Sequence, residues 1–191
     1  YGTGIPSILT ILFGAAYGSV NTFIAMMTSE VGIENAGLFF IVGTIFVFIS
    51  RPFGGRIFDS KGGFWVILPG GILYLIGLGI LVSAQSLTVL LVASVFYGFG
   101  GGLLLPSLMT WMLNVVTPDR RSGASATFYN MLDIGTSSGI ILLGSVAGSI
   151  GYVNMYYYVI GVMVIFIAFF MFNHFVLQKK VKKQNEQEEL A

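Results

Sequence analysis

Long apolar stretches alternate with short polar segments along the whole chain. A helix needs about 20 mostly apolar residues to cross about 30 Å of hydrocarbon, and six stretches of that length remain when the sequence is divided at its charged and turn-forming segments. The pattern therefore predicts an all-α membrane protein, with a six-transmembrane-helix bundle in residues 1–177 and a solvated, frayed tail in residues 178–191. The predicted spans are residues 5–27, 37–56, 64–82, 87–115, 122–149 and 156–177.

The composition supports this prediction and argues against other classes of protein. Hydrophobic residues make up 55% of the chain and charged residues only 9%, whereas soluble domains carry about 25% charged residues. There is no Cys and only one His, and the polar segments contain no nucleophile–base pair, no phosphate-binding loop and no basic patch for nucleic acid. The sequence therefore indicates a protein that is not an enzyme and needs no cofactor, metal or nucleic acid.

The basic residues are distributed unevenly between the connections. All nine lie around the second connection, in the fourth connection or after the last span: Arg51, Arg56, Lys61, Arg120, Arg121, Lys179, Lys180, Lys182 and Lys183. The first connection instead carries Glu30 and Glu34. Because Lys and Arg are retained on the cytoplasmic side of a membrane, we expect both termini and the even-numbered connections to be cytoplasmic.

Polar residues recur at helical spacing in the first span. They are separated by three, four, three and four positions, which places them on one helix face: Ser7, Thr10, Gly14, Tyr17 and Asn21. Two interpretations remain open at this stage. Gly14 and Gly18 form the spacing of a helix-packing seam, whereas the bulky polar side chains of Tyr17 and Asn21 favour the wall of a wet cavity.

The other spans differ in polarity. Asn130, Asp133 and Ser137 share a face of the fifth span, so this helix is predicted not to be a lipid-facing helix. The third and sixth spans are almost purely apolar and are predicted to be peripheral. The fourth is rich in glycine and presents Tyr97 as a candidate for its inner face, so a cavity lined by the first, second, fourth and fifth spans is expected.

Asp133 is the one acidic residue deep within a span. It follows Arg121 by 12 residues, which places it about 18 Å along the helix from the charged end. A charge at that depth costs about 2.5 to 3.5 kcal/mol, so Asp133 needs a partner or a function. It either carries protons for transport or forms a static ion pair, for which Arg51 is the expected partner.

The connections contain motifs that resemble a known family. Gly55-x-x-x-Asp59-x-x-Gly62 resembles the loop signature of the major facilitator superfamily, in the copy found in the C-terminal half of its members. The fourth connection, around Arg120 and Arg121, and the segment that begins at Asp133 resemble the loop before helix eleven and helix eleven itself in multidrug-exporter-like members. Almost the whole chain is covered, as helices seven to twelve of a twelve-helix fold.

This resemblance implies a fold, a function and roles for individual residues. The implied protein is a secondary transporter of a bacterial plasma membrane that exports small amphipathic molecules with the proton gradient as its driving force. Its partners are the lipid bilayer, a small-molecule substrate and the N-terminal six-helix half. The expected cavity or coupling residues are Tyr17, Asn21, Tyr97, Asn130 and Asp133, and the expected gating residues are Arg51, Gly55, Asp59, Gly62, Arg120 and Arg121.

Two other functions remain in competition at this stage. The same architecture serves the uptake of a small metabolite, and a self-contained six-helix channel or membrane scaffold has the same composition. The chain begins with Tyr1 and an apolar span follows at once, which favours a fragment of a longer transporter. An upstream reading frame with six further spans would support that interpretation.

Overall fold

The computed structural model describes the backbone of residues 2–188 and the side chains of residues 2–176. Six long helices and a short 3₁₀ turn, Pro118–Arg120, make up this part of the chain, and no strand occurs in it. The all-α prediction and the number of apolar helices long enough to cross a membrane are confirmed. The helices are α1 Gly4–Glu30, α2 Gly37–Lys61, α3 Phe64–Val82, α4 Leu87–Asn114, α5 Arg121–Ile150 and α6 Tyr152–Glu188.

Two helices extend beyond the apolar stretches that predicted them. α2 continues five residues past Arg56 to Lys61, and the φ of 89° at the next residue, Gly62, lies in the left-handed region that favours glycine. α6 continues as a helix to Glu188, into the segment expected to be a frayed tail. Residues 178–188 are mostly Lys, Gln and Glu, which are good helix formers, and contain no Gly or Pro to end the helix. The last three residues of the predicted tail, 189–191, lie outside the described part of the chain.

The helices pack as two related triplets, α1 to α3 and α4 to α6. The first helix of each triplet lies against the second and third helices of the other, so α1 contacts α5 and α6, and α4 contacts α2 and α3. Because each triplet contains an odd number of helices, corresponding helices of the two triplets run through the bundle in opposite directions. This is the inverted-repeat arrangement found in many transporter folds.

Glycines allow the closest of these approaches. A Cβ on Gly135 of α5 would collide with the Ile11 carbonyl of α1, and one on Gly139 would lie 2.5 Å from the Ala15 carbonyl oxygen. Gly98 and Gly102 of α4 have the same relation to α2, since a Cβ at Gly102 would lie 2.8 Å from the Cα of Val47. Both seams use the four-residue spacing that brings membrane helices into backbone contact. Gly14 and Gly18 lie in the first seam, against α5, so the packing interpretation of these two residues is correct.

The two ends of the bundle differ in charge. One end, here called the basic end, carries the α2–α3 and α4–α5 connections together with the start of α1, where Gly2 lies beside Val115. At the opposite end the Glu30 carboxylate accepts a hydrogen bond from the Tyr152 N–H at 2.6 Å. A carboxylate in this position satisfies a free N–H in the first turn of α6, and it ties the end of α1 to the start of α6.

Candidate functional site

Asn21 joins α1 to α4 through its side-chain amide. Its Nδ2 donates to the Tyr97 hydroxyl at 3.0 Å and to the Tyr17 carbonyl at 2.7 Å. An amide nitrogen has two protons to donate, so both bonds form together and fix the orientation of the side chain. Tyr97 is 7% exposed, whereas Asn21 and Tyr17 are half-buried. The structure thus brings together three of the five residues predicted for the cavity.

Aromatic rings surround this hydrogen bond. The centroid of the Tyr97 ring lies 4.8 Å from that of Tyr74 and 5.2 Å from that of Phe39. Phe13 contacts Tyr74 at 5.5 Å and Tyr17 at 5.8 Å, all within the range of favourable ring pairs. We call these five rings the aromatic cluster. They come from α1, α2, α3 and α4, so they occupy the centre of the described bundle.

Tyr74 was not among the predicted site residues. It is completely buried, and its hydroxyl is the one buried side-chain polar atom of the described residues that has no hydrogen-bond partner. The apolar composition of α3 suggested a peripheral helix, but Gly70 and Gly77 let α4 approach closely enough for Tyr74 to reach Tyr97. The feature of the sequence that could have identified Tyr74 is that it is the one tyrosine of an apolar span and lies between glycines. An unpaired buried hydroxyl can bond a water molecule or a polar group of a ligand.

A second polar group lies on the outer surface of α5. Successive residues of an α-helix are rotated by about 100°, so Asp133 and Ser137, two positions on either side of Gly135, lie opposite the seam with α1. Asn130 shares their side of the helix, and all three are exposed. We call Asn130, Asp133 and Ser137 the polar stripe. Among the described residues none of these three side chains has a hydrogen-bond or ion-pair partner.

The structure does not join Asp133 to Arg51, and the expected ion pair is not formed. α2 packs on α4 and α5 packs on α1, which leaves the two charged residues on different flanks. The Arg51 guanidinium instead lies 5.3 Å from the centroid of the Phe48 ring on its own helix, a cation–π contact. Asp133 has no hydrogen bond to the aromatic cluster either, so the predicted site residues form two separate groups.

The predicted gating residues are also dispersed in this structure. The one ion pair in the described part of the chain joins the adjacent residues Asp119 and Arg120 at 3.9 Å, and both are largely exposed. Asp59 makes no ion pair there, a Cβ on Gly55 would meet open space, and Gly62 ends α2. Arg121 is the first residue of α5. A contact between Asp59 and the basic residues of the fourth connection is absent from this conformation of the described residues.

Six membrane-length helices in two inverted triplets, with polar side chains inside the bundle and on one outer helix face, form an arrangement that is found in membrane transport proteins. The comparison with known families agrees with this class. Residues 7–191 match the sequence model of the Major Facilitator Superfamily, and the chain belongs to that superfamily. The resemblance noted in the connections is thereby confirmed at the level of the superfamily.

Curated relatives carry the names of exporters. The chain is 28% identical over 139 residues to the proton-coupled antiporter flippase LtaA of Staphylococcus saprophyticus. This alignment covers 71% of this chain and 35% of the relative. It is 26% identical to the staphylopine export protein of Staphylococcus aureus, over 86% of this chain and 42% of the relative. It is 28% identical to multidrug resistance protein 3 of Bacillus subtilis, over 58% of this chain and 22% of the relative. The chain thus spans less than half the length of these relatives.

A solved structure shares the fold. The crystal structure of the peptide transporter POT, a glutamate-to-glutamine mutant in complex with alafosfalin, aligns with a TM-score of 0.76 at 18% sequence identity. The alignment covers 90% of this chain and 38% of the peptide transporter. At this identity the likeness establishes the fold alone, and it agrees with the six-helix bundle described above.

Proposed function

We propose that the chain is the C-terminal half, helices seven to twelve, of a twelve-helix transporter that exports small amphipathic molecules in exchange for protons. The observation that carries this proposal is the exposed polar stripe of α5. The missing partner would be a bundle of six further helices, and the cycle would alternate access to a site between the two bundles.

The position of Asp133 argues for a covering surface or a water-filled cavity. α5 is 30 residues long, and Asp133 lies near the middle of the helix, about 18 Å from Arg121. Facing hydrocarbon there would cost an ionised carboxyl about 2.5 to 3.5 kcal/mol. The stripe points away from α1, and the described bundle does not cover it. A second bundle separated by an aqueous cleft would remove this cost and give the carboxyl access to protons.

The aromatic cluster favours an amphipathic substrate. It contains ring surfaces, the Asn21 amide and tyrosine hydroxyls, and no charged side chain belongs to it. Binding sites for organic molecules typically combine apolar and aromatic walls with a few polar groups that fix orientation. Tyr17 and Asn21 are half-buried, so they form the part of the cluster that a solute between two bundles would reach.

The names of the relatives support export and a proton gradient as the driving force. One is named as a proton-coupled antiporter flippase, one as an export protein and one as a multidrug resistance protein. All three come from bacteria, which supports a plasma-membrane location. The basic residues of the connections favour a cytoplasmic basic end, and we extend that assignment to both termini of this chain.

Proton flux driven by an added solute would test this function. The full-length transporter would be reconstituted into inverted vesicles that are acidified inside, and ethidium or rhodamine would be added outside as the amphipathic probe. We expect each probe to accelerate proton release, because export in this orientation moves the probe inward in exchange for protons. Proton movement in the same direction as a probe would contradict exchange, and a dipeptide that alone drives proton flux would favour uptake of a metabolite.

Tyr97→Phe should weaken substrate binding with little effect on the maximal rate. The change removes the hydroxyl that accepts from Asn21 and fixes its amide, and the loss of one hydrogen bond between the displaced amide and the substrate costs about 0.5 to 1.5 kcal/mol. We therefore expect KM for ethidium to rise about two- to tenfold. Tyr157→Phe is the matched control, because Tyr157 is 59% exposed and lies outside the aromatic cluster. Equal KM values for the two variants would exclude Tyr97 from the substrate site.

A further inference from the structure

We propose that a cavity at the basic end binds the head group of an anionic phospholipid. The cavity has a volume of about 560 Å³ and lies between the last turns of α2, the first turn of α3, α4 and α6. This volume lies within the range of sites for small organic ligands. Neither α1 nor α5 contributes to its lining, so it is separate from the polar stripe, and the proposal does not depend on what the transporter exports.

Aromatic rings form most of the wall. His174 stacks on Phe64 with centroids 4.0 Å apart, and Phe170 lies 5.8 Å from both Phe64 and Trp111. Trp65 also lines the cavity and is 59% exposed. Both tryptophans of the chain therefore border one cavity. Tryptophan is enriched where a membrane meets water, so this cavity lies at the depth of lipid head groups.

The polar lining is basic or neutral. Lys61, the last residue of α2, supplies an ammonium group, and the described residues that line the cavity include no carboxylate. Asn173 lines it as well and donates through Nδ2 to the Phe169 carbonyl at 2.8 Å. An amide whose nitrogen is engaged in this way retains an acceptor oxygen for a glycerol hydroxyl. A phosphate beside Lys61 and a hydroxyl beside Asn173 match the head group of phosphatidylglycerol.

The location favours a lipid over a soluble anion. The cavity lies on the flank formed by α3 and α6, whose outer surfaces carry large exposed apolar side chains such as Ile72, Ile76 and Phe172. Acyl chains can lie along this flank while the phosphate reaches Lys61. Basic pockets between transmembrane helices at a charged membrane surface bind anionic head groups by this combination of contacts.

Native mass spectrometry of the purified transporter would test the site. With equal amounts of phosphatidylglycerol and phosphatidylcholine, we expect selective retention of phosphatidylglycerol, and Lys61→Gln should lower that retention about fivefold, as expected for loss of one lysine near anionic lipid. Arg56→Gln is the matched control, because Arg56 is an exposed basic residue of the same helix outside the cavity lining. Equal losses in both variants, or no preference between the lipids, would overturn the proposal.

Tryptophan fluorescence would locate the bound lipid. Brominated phospholipids quench the fluorescence of nearby tryptophans. We expect brominated phosphatidylglycerol to quench Trp111, so the quenched component should be absent from Trp111→Phe. Brominated phosphatidylcholine should leave the fluorescence of Trp111 intact. Inorganic phosphate added in millimolar excess should leave the quenching unchanged. If phosphate displaced the lipid, or if the Trp111 component were quenched equally by both lipids, an anionic phospholipid would be excluded as the specific occupant.

Discussion

Asp133→Asn is expected to reduce proton-coupled transport to the level of empty vesicles while the protein stays folded. The carboxyl is exposed on the polar stripe and has no ion-pair partner among the described residues, so the substitution breaks no internal contact seen there. The amide has almost the same shape but does not ionise, so it cannot alternately release and bind a proton. Its thermal stability should be unchanged, because Asp133 makes no hydrogen bond or ion pair with the described residues that the substitution would remove.

The measurement is proton flux driven by ethidium in vesicles, with thermal unfolding recorded on the same preparations. Glu34→Gln is a suitable control, because it also replaces an exposed carboxyl with an amide but lies in the connection between α1 and α2. The control should retain full flux. If Asp133→Asn kept its proton flux and its pH dependence, Asp133 would have no role in coupling, and a role in packing against another surface would remain.

Gly135→Ala is expected to destabilise the bundle strongly. The added methyl group would collide with the Ile11 carbonyl and lie 2.9 Å from the Cα of Ile11, and these backbone atoms cannot move unless α1 and α5 separate. Overpacking of this kind costs about 1 to 3 kcal/mol of unfolding free energy. A lower unfolding temperature in detergent and a smaller yield of monodisperse protein are the expected observations.

Gly148→Ala on the same helix provides the control. A Cβ at Gly148 meets no atom within 4 Å, and alanine has a higher helix propensity than glycine by about 0.8 to 1.0 kcal/mol. We therefore expect this variant to be as stable as the parent or slightly more stable. Equal stabilities for the two variants would contradict the tight contact at Gly135, since both change the same residue type in the same helix.

The sequence was sufficient to predict the helices but not their neighbours. The apolar runs predicted six membrane helices, and the spacing of Asn130, Asp133 and Ser137 predicted that they share one face of α5. Counting residues from the charged ends placed Asp133 about 18 Å and Arg51 about 12 Å into the membrane, and the long side chain of Arg51 was expected to make up the difference and form an ion pair. Depth along a helix does not determine which helices are adjacent, and the packing of α2 on α4 and α5 on α1 separates the two residues.

Tyr74 and the cavity beside Lys61 were missed for a related reason. The apolar composition of α3 suggested a peripheral helix, and a single tyrosine did not change that prediction. Its importance arises from Gly70 and Gly77, which bring α4 close enough for the Tyr74 and Tyr97 rings to meet. The cavity combines residues from four helices, among them Lys61, Trp111 and His174. The spacing of residues within one segment cannot predict a cavity that forms only when these helices pack together.

The seam between α1 and α5 also has a consequence for biosynthesis. α1 is synthesised before the other five helices of this half, but Gly14 and Gly18 contact a helix that is synthesised more than 100 residues later. The α2–α4 seam joins segments much closer in the chain and can form while α5 is still being made. During insertion, the small-residue face of α1 therefore stays open to lipid or to the insertion machinery until α5 arrives. A nascent chain that stalls before α5 therefore leaves α1 without its partner along that seam.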